Sequence, residues 1–445
     1  MNFPSNVDLK IPEKGCITGE VGLSPVQKWF FERDLKNIHY FNQSAMFEVN
    51  GDISISIVRA IFNVIAQYHD IFRIKYEKID GKYYQYYTDN SLIDVSERDL
   101  RDLRVENFSA ELQNNITMIQ SGLHIFNGPL ARVVLYHCVD GDKLLLVIHH
   151  LIIDGVSWRI IRDDIETIYK GFLKFGKVAL PIKSYSYRQW VKALMDYVKT
   201  NKVFEEIEYW ENIEKSLQEL CIEADSRDLK RSNGCVNIKL TEEETSKLLY
   251  EAPKTYESQI NDILITALTL AAGDASGNYE FSFVLEGHGR EDVIGIDVTR
   301  TVGWFTSIFP VFSKITNPKD LFLSVSESKN TLQLIPNKGI GYGIIRYFLG
   351  RLNKPLPKIS FNYLGQWDAG VSSGGLLRYA KCGSGRDCDE ENISCNLIDI
   401  NCCVKSNVFD MWISYKGDYY SFVTISKFAD LFRTRLVEII NCKRS

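Results

Sequence analysis

The sequence predicts a mixed α/β (α+β) protein built in two halves. Segments with helical and with strand-like patterns alternate along its whole length, and Leu144 to Ile148 is a continuous apolar run of strand length. The pattern loosens across residues 174–186, before a strongly charged helical stretch. We therefore expect two domains, residues 1–180 and residues 181–445.

Helices in the first half are indicated by capping residues and by periodicity. Ser24, Pro25 and Gln27 have the order of an N-cap, a proline at N1 and a capping-box residue at N3. Apolar residues then recur at helical spacing in two later segments, 57–65 and 160–169. The apolar run from residue 144 is therefore a strand that leads into a helix.

The second half continues the alternation. Thr241 and Glu244 form a predicted capping box, and a long apolar helix is expected at 262–272. Residues 368–392, which are rich in glycine, serine and charge, predict a long surface loop. Strands are expected at 279–285, 358–364, 397–404, 408–415 and 420–426, with a closing helix at 429–440.

Composition excludes several classes of protein. The 445 residues are 45% hydrophobic and 24% charged, which is ordinary for a globular chain with two or three cores. A net charge of -5 without basic clusters argues against a nucleic-acid partner. No signal peptide and no membrane-spanning apolar run are found, so we expect a cytoplasmic protein without a membrane partner. The ten cysteines lack Cys-x-x-Cys spacing, which predicts free thiols and no metal site.

The strongest chemical signal is His149 and His150, which follow the apolar strand. Because strand residues alternate between faces, only one of the two can face a given cavity, and a purely structural junction is also consistent. Asp154 four residues on can tie the turn, and Gly155 can permit a tight backbone. Arg73, at the end of an apolar helix, is the expected partner of Asp154.

Other candidate groups end strands of the second half. An apolar surround at Glu286 would raise the pKa of its carboxyl group toward the range useful for acid/base work, although a solvated glutamate fits equally well. Asn362 and Tyr363 could donate to a developing oxyanion, or could be satisfied core groups. His288 and Arg290 are interpreted as structural residues of a glycine-rich turn.

Two common kinds of site are not predicted. The glycines of 339–343 lack dinucleotide-binding spacing and do not follow a convincing strand. No Gly-x-Ser-x-Gly motif occurs, and Ser157 follows the histidines too closely for an obvious triad. The available chemistry is proton transfer without an evident covalent nucleophile.

The residues His149 to Gly155 resemble the His-His-x-x-x-Asp-Gly motif of the condensation-domain superfamily of nonribosomal peptide synthetases, which is related to chloramphenicol acetyltransferase. Other segments resemble the motifs of its epimerization domains in the expected order, and the resemblance spans nearly the whole chain. These segments are Leu23–Phe30, Glu286–Glu291, Arg300–Thr306, Gly339–Gly343 and Phe361–Gln366.

The resemblance implies two chloramphenicol acetyltransferase-like lobes in a V-shaped pseudo-dimer with a central tunnel. The first lobe would carry the histidine motif and the second would carry Glu286 and the Asn-Tyr-Leu-Gly motif. The implied reaction is epimerization from L to D of the α-carbon of an aminoacyl or peptidyl thioester, as in antibiotic biosynthesis. The thioester is tethered to the phosphopantetheine arm of a peptidyl carrier protein, so no directly bound cofactor is expected.

The resemblance also implies residue roles and partners. His150 and Glu286 would be the acid/base pair, with Asn362 and Tyr363 assisting, while His149, Asp154, Arg73 and Gly155 would support the site. A carrier domain immediately upstream and neighbouring synthetase domains are the expected partners. The alternatives are a condensation domain, which forms a peptide bond, and a catalytically silent domain that docks carriers. The Gly-His-Gly-Arg setting that follows Glu286, and Trp158 after Ser157, favour epimerization.

Overall fold

The chain folds into two compact units. The computed structural model describes residues 17–51, 53–102, 105–176, 178, 180–222, 229, 233–366, 375–380, 382–392 and 396–443. The first unit comprises the described parts of Met1–Tyr197, Asp292–Thr306 and Gly370–Ile393, and the second comprises those of Val198–Glu291, Ser307–Ala369 and Ser394–Ser445.

Strands and helices are interspersed in both units, which confirms the mixed α/β class. The strands are β1 (Gly19–Val21), β2 (Asn42–Val49), β3 (Ile74–Ile79), β4 (Lys82–Tyr87), β5 (Ile93–Asp99), β6 (Ala131–His137), β7 (Lys143–His149), β8 (Gly234–Lys239), β9 (Glu280–Gly287), β10 (Ser307–Lys314), β11 (Ile359–Gln366), β12 (Leu377–Tyr379), β13 (Ile398–Lys405) and β14 (Val408–Tyr415).

The helices include those expected from the capping signals at Ser24 and Thr241, whose capping boxes are both formed. Among the described residues, no helix has the length and apolar character required to cross a membrane. The helices are α1 (Pro25–Glu32), α2 (Ile55–Tyr68), α3 (Val105–Ser121), α4 (Gly155–Phe175), α5 (Tyr187–Tyr197), α6 (Asn201–Ser216), α7 (Glu242–Ser246), α8 (Ala252–Thr255), α9 (Ile260–Ser276), α10 (Leu321–Gln333), α11 (Ile340–Ile344) and α12 (Phe422–Asn441).

A five-stranded sheet with the order β12-β2-β7-β6-β5 forms the centre of the first unit, beside a three-stranded sheet with the order β1-β4-β3. Every residue of β7 is buried, because β2 and β6 flank it and apolar side chains cover it. On one face, Leu145 and Val147 of β7 pack with Leu112 and Ile116 of α3. The apolar run therefore is the predicted buried strand.

Two later segments return to the first unit, whereas the sequence predicted one boundary between residues 180 and 181. The unit continues through α5 to Tyr197. Strand β12 then pairs antiparallel with β2, and the backbone N–H of Asn42 donates to the carbonyl of Asp387 at 2.6 Å. The described part of the predicted loop at 368–392 is therefore partly a sheet strand, because it supplies the edge of the first sheet.

A six-stranded sheet with the order β10-β9-β11-β13-β14-β8 forms the centre of the second unit. Strand β11 lies between β9 and β13 and is parallel to both, while the other neighbours are antiparallel. Four of these strands, β9, β11, β13 and β14, were predicted. Phe361 of β11 is in register with Leu285 of β9, so the next residues along the two strands, Asn362 and Glu286, lie side by side.

The strand predicted at 420–426 is wrong, because these residues begin helix α12. Ser421 is the N-cap, and its hydroxyl accepts a hydrogen bond from the backbone N–H of Thr424 at 3.1 Å. The alternating pattern of Tyr420, Phe422 and Thr424 is typical of a strand, but it extends over only about one helical turn and does not determine the conformation. The capping bond and burial of the helix from Ile425 onward decide the conformation instead.

We expect Ser421→Ala to lower the free energy of unfolding by about 1 kcal/mol, because the first turn of α12 loses its cap. Denaturant unfolding measures the change. The matched control is Ser426→Ala in the same helix. Among the described residues the buried hydroxyl of Ser426 has no hydrogen-bond partner, so its removal should be neutral or stabilising. Equal losses in the two variants would contradict the capping role of Ser421.

Candidate active site

His149 is the last residue of β7 and is fully buried. Its Nδ1 accepts a hydrogen bond from the backbone N–H of Leu151 at 3.2 Å, and its Nε2 lies 2.9 Å from the carbonyl oxygen of Ile38. Since the carbonyl can only accept, Nε2 carries the proton. Desolvation lowers the pKa of His149 to about 3, so the ring is neutral and both of its nitrogens are occupied.

His150 begins a short 3-10 turn, so its side chain leaves the sheet and remains partly exposed. Its ring stacks on Phe41 with centroids 5.5 Å apart and packs at 4.3 Å against Trp304. Nδ1 lies 2.9 Å from the carbonyl oxygen of Ile153, and Nε2 lies 3.0 Å from the side-chain Nε2 of Gln43. Aromatic rings and two polar contacts thus fix the imidazole.

Desolvation lowers the pKa of His150 to about 4, against the opposing effect of the Asp154 carboxylate. A histidine with this pKa is neutral at physiological pH. Its imidazole can therefore take up a proton from a substrate without first having to lose one.

Asp154 holds the loop that carries His150. It is the N-cap of α4, where one carboxylate oxygen accepts from the backbone N–H of Ser157 at 2.8 Å. The other oxygen accepts from the backbone N–H of Phe305 at 3.0 Å. Because Trp304 directly precedes Phe305, this bond also holds the indole that packs on His150.

A second contact fastens the same segment. The Ser157 hydroxyl lies 3.0 Å from the carbonyl oxygen of Gly303 and 3.1 Å from its backbone N–H. Gly303 is required there, since a Cβ would come within 2.6 Å of the ring of Tyr187. The segment 303–305 is therefore fixed to the histidine motif at two points.

Two expected supports of the motif differ from the prediction. Arg73 forms its ion pair with Asp70 at 2.7 Å rather than with Asp154. The two residues are three apart in one 3-10 turn, which brings their side chains to the same side of the turn. Gly155 is the first residue of α4, with no positive φ angle, and a Cβ there would meet open space. The glycine is thus not needed for a tight turn.

Glu286 and Asn362 come together in the second unit. The Asn362 side-chain amide donates to a Glu286 carboxylate oxygen at 2.9 Å, across the parallel pair of β9 and β11. Glu286 is exposed rather than surrounded by apolar side chains, which differs from the expected environment. The residue after Glu286 is Gly287, and a Cβ at this position would come within 2.6 Å of the Ser307 hydroxyl oxygen.

Three other residues were predicted in this region, namely Tyr363, His288 and Arg290. Tyr363 follows Asn362 in regular register, so strand alternation directs its side chain to the opposite face of β11. His288 accepts from the backbone N–H of Arg290 at 3.1 Å and pairs with Glu291 at 3.3 Å. These contacts hold the turn after β9, while the assisting role of Tyr363 stays a prediction.

Sequence reasoning missed three residues that contact His150, namely Phe41, Gln43 and Trp304. Trp304 belongs to a segment that resembled a family motif, but no residue pattern connected it to the histidines. Phe41 directly precedes β2 and Gln43 lies in it, and the antiparallel pairing of β2 with β7 brings both to the motif.

A comparison with protein-family models finds that residues 17–443 match the model described as "Condensation domain". Among solved structures, the chain is similar to the epimerization domain from the third module of tyrocidine synthetase B. The two are 33% identical, the match covers 97% of this chain and 98% of that one, and the TM-score is 0.90.

Two further matches define the limits of the likeness. The condensation domain from Monacolin K polyketide synthase shares the fold, with a TM-score of 0.78 and 14% identity over 95% of this chain and 98% of that one. Tyrocidine synthase 2 of Brevibacillus parabrevis is 34% identical over 96% of this chain. The chain spans only 12% of the length of that relative.

We expect Asp154→Asn to lower the free energy of unfolding by about 1–3 kcal/mol, because an amide offers one acceptor oxygen to two backbone N–H groups. Denaturant unfolding at neutral pH tests this. Asp163→Asn on the same helix is the control, since the Asp163 side chain is 58% exposed and its charged contact is 3.4 Å long. A loss no larger than that of the control would contradict the role of Asp154.

Proposed function

Because the chain belongs to the condensation-domain family, we propose that it epimerizes the α-carbon of an aminoacyl or peptidyl thioester from L to D. The observation that carries this proposal is the likeness to a solved epimerization domain, which is 33% identical over 98% of its length.

The proposed chemistry is proton transfer alone. A thioester carbonyl acidifies the neighbouring C–H bond, so a base can take the α-proton while the electron pair passes into an enolate. A second group then returns a proton to the other face of the carbon. Nothing is oxidised or reduced, and each acid/base group contributes about 10²–10⁴-fold to the rate.

His150 has the properties of one of these groups. Its ring is neutral at physiological pH, since desolvation lowers its pKa to about 4. Phe41 and Trp304 limit the motion of the imidazole. A base that is held in place avoids the entropic cost of orientation in the transition state.

Glu286 is the proposed second group. Asn362 donates to one of its carboxylate oxygens and so orients the carboxyl group at the end of β9. The two proposed groups belong to different units of the chain. Asn362 is a positioning residue in this scheme, and Tyr363 is kept as a proposed assisting donor.

The substrate is proposed to arrive on the phosphopantetheine arm of a carrier protein, with no directly bound cofactor. The long synthases that resemble this chain support a setting with neighbouring synthetase domains, since the chain corresponds to 12% of tyrocidine synthase 2. A carrier domain immediately before the chain remains the expected arrangement.

The test follows the α-carbon in deuterium oxide. A panel of L-aminoacyl groups is loaded on a phosphopantetheinylated carrier domain and mixed with the protein, and mass spectrometry with chiral analysis follows the released amino acid. We expect deuterium incorporation and D-product for at least one substrate. In His150→Ala and in Glu286→Gln, we expect inversion to fall by at least about 10²-fold.

Two variants control for general damage. Glu280→Gln changes a carboxylate of the same strand as Glu286, and His137→Ala changes a histidine of the sheet whose strand β7 leads into His150. Both should invert substrate like the unmodified protein. Absence of α-exchange throughout the panel, or inversion that persists in both His150→Ala and Glu286→Gln, would overturn the proposal. Peptide-bond formation between two carrier-bound substrates without exchange would indicate a condensation domain instead.

A further inference from the structure

The side chain of Gln43 is oriented by Trp158. The indole Nε1 lies 2.7 Å from Oε1 of Gln43. An indole N–H can only donate a hydrogen bond, so the atom that faces it must be the amide oxygen. The amide nitrogen of Gln43 is thereby directed at Nε2 of His150, 3.0 Å away.

This orientation determines which nitrogen of His150 carries the proton. An amide NH₂ group can only donate, so Nε2 of His150 must accept and has no proton. On the other side of the ring, the carbonyl oxygen of Ile153 can only accept, so Nδ1 of His150 must be protonated. The two contacts independently require the same neutral tautomer.

We propose that Gln43 and Trp158 are positioning residues that keep His150 as the neutral Nδ1–H tautomer, in which Nε2 is the unprotonated nitrogen and accepts a hydrogen bond from the Gln43 amide. The inference deepens the proposed epimerization, and its catalytic consequence rests on that function. The tautomer itself does not depend on any substrate.

The same contact disfavours the protonated ring. In an imidazolium both nitrogens are donors, so Nε2–H would face the donor group of Gln43. The charged groups around the ring act in opposite directions, because Asp154 at the start of α4 favours imidazolium and Arg33 after α1 disfavours it. The neighbouring residue His149 is buried and neutral, so it places no charge beside the His150 ring. Desolvation acts in the same direction as Gln43.

Gln43→Glu tests the contact with almost no change in shape. A carboxylate still accepts from Trp158, but it also requires a proton on Nε2 of His150. We expect the pKa of His150 to rise by about 1–3, the range for a titratable group that gains an opposite charge at contact distance. The acid limb of the inversion rate should move to higher pH by the same amount.

Trp158→Phe tests the orientation of the amide. Without the indole N–H, the Gln43 amide can turn its oxygen toward His150, and a mixture of tautomers should result. We expect kcat to fall about two- to tenfold while KM is unchanged, since only the state of the base is altered.

Nuclear magnetic resonance of the full chain with ¹⁵N-labelled histidine reads the tautomer directly, and His150→Ala assigns the signal. In the unmodified protein we expect the Nδ1–H form and titration near pH 4. In Gln43→Glu we expect a higher pKa of His150, and in Trp158→Phe we expect a mixture of tautomers. Gln67→Glu, at an exposed position of α2, and Trp412→Phe, in the second unit, should leave the signal unchanged.

An Nε2–H tautomer in the unmodified protein would overturn the inference even if the variants did not fold. An unchanged pKa of His150 in folded Gln43→Glu would also overturn it. Failure of the proposed function is separately visible, because the unmodified protein would then show the expected tautomer without any exchange at the α-carbon.

Discussion

The carboxylate of Asp154 is the contact on which the arrangement around His150 depends. One oxygen caps helix α4 by accepting a hydrogen bond from the backbone N–H of Ser157. The other accepts from the backbone N–H of Phe305, which belongs to a segment distant in sequence. That second bond keeps Trp304 against the His150 ring. Two backbone N–H groups satisfied by one buried carboxylate form strong, charge-assisted hydrogen bonds. A single side chain thus connects the strand end, the helix start and the aromatic cover of the imidazole.

The two candidate groups are held by different means. His150 sits among aromatic rings and fixed hydrogen-bond partners, and desolvation keeps it neutral with its pKa near 4. Glu286 is exposed, and one of its carboxylate oxygens accepts a hydrogen bond from Asn362 on the neighbouring parallel strand. In the proposed inversion, one group accepts the α-proton and the other donates a proton, and a neutral imidazole and a carboxyl group could fill these two roles.

Sequence patterns predicted the strands and helix caps that depend on residues close together in the chain. Strand β7, the capping boxes at Ser24 and Thr241, and the strands that carry Glu286 and Asn362 all follow from periodicity and capping residues. Contacts set by tertiary structure could not be predicted that way. The pairing of β2 with β7 brings Gln43 to His150, and the return of residues 292–306 to the first unit brings Trp304. The ion pair of Arg73 was misassigned because a local 3-10 turn offered Asp70 at closer range.

We propose that His150 and Glu286 are the two acid/base groups of the inversion. The most direct measurement follows α-proton exchange separately from L- and D-aminoacyl carrier thioesters in deuterium oxide, using His150→Ala and Glu286→Gln. We expect each variant to lose inversion yet to exchange the proton of one enantiomer only, and the retained enantiomer should differ between the variants. If both variants exchange the same enantiomer, or if one variant retains exchange of both, the proposal that each group serves one enantiomer is contradicted.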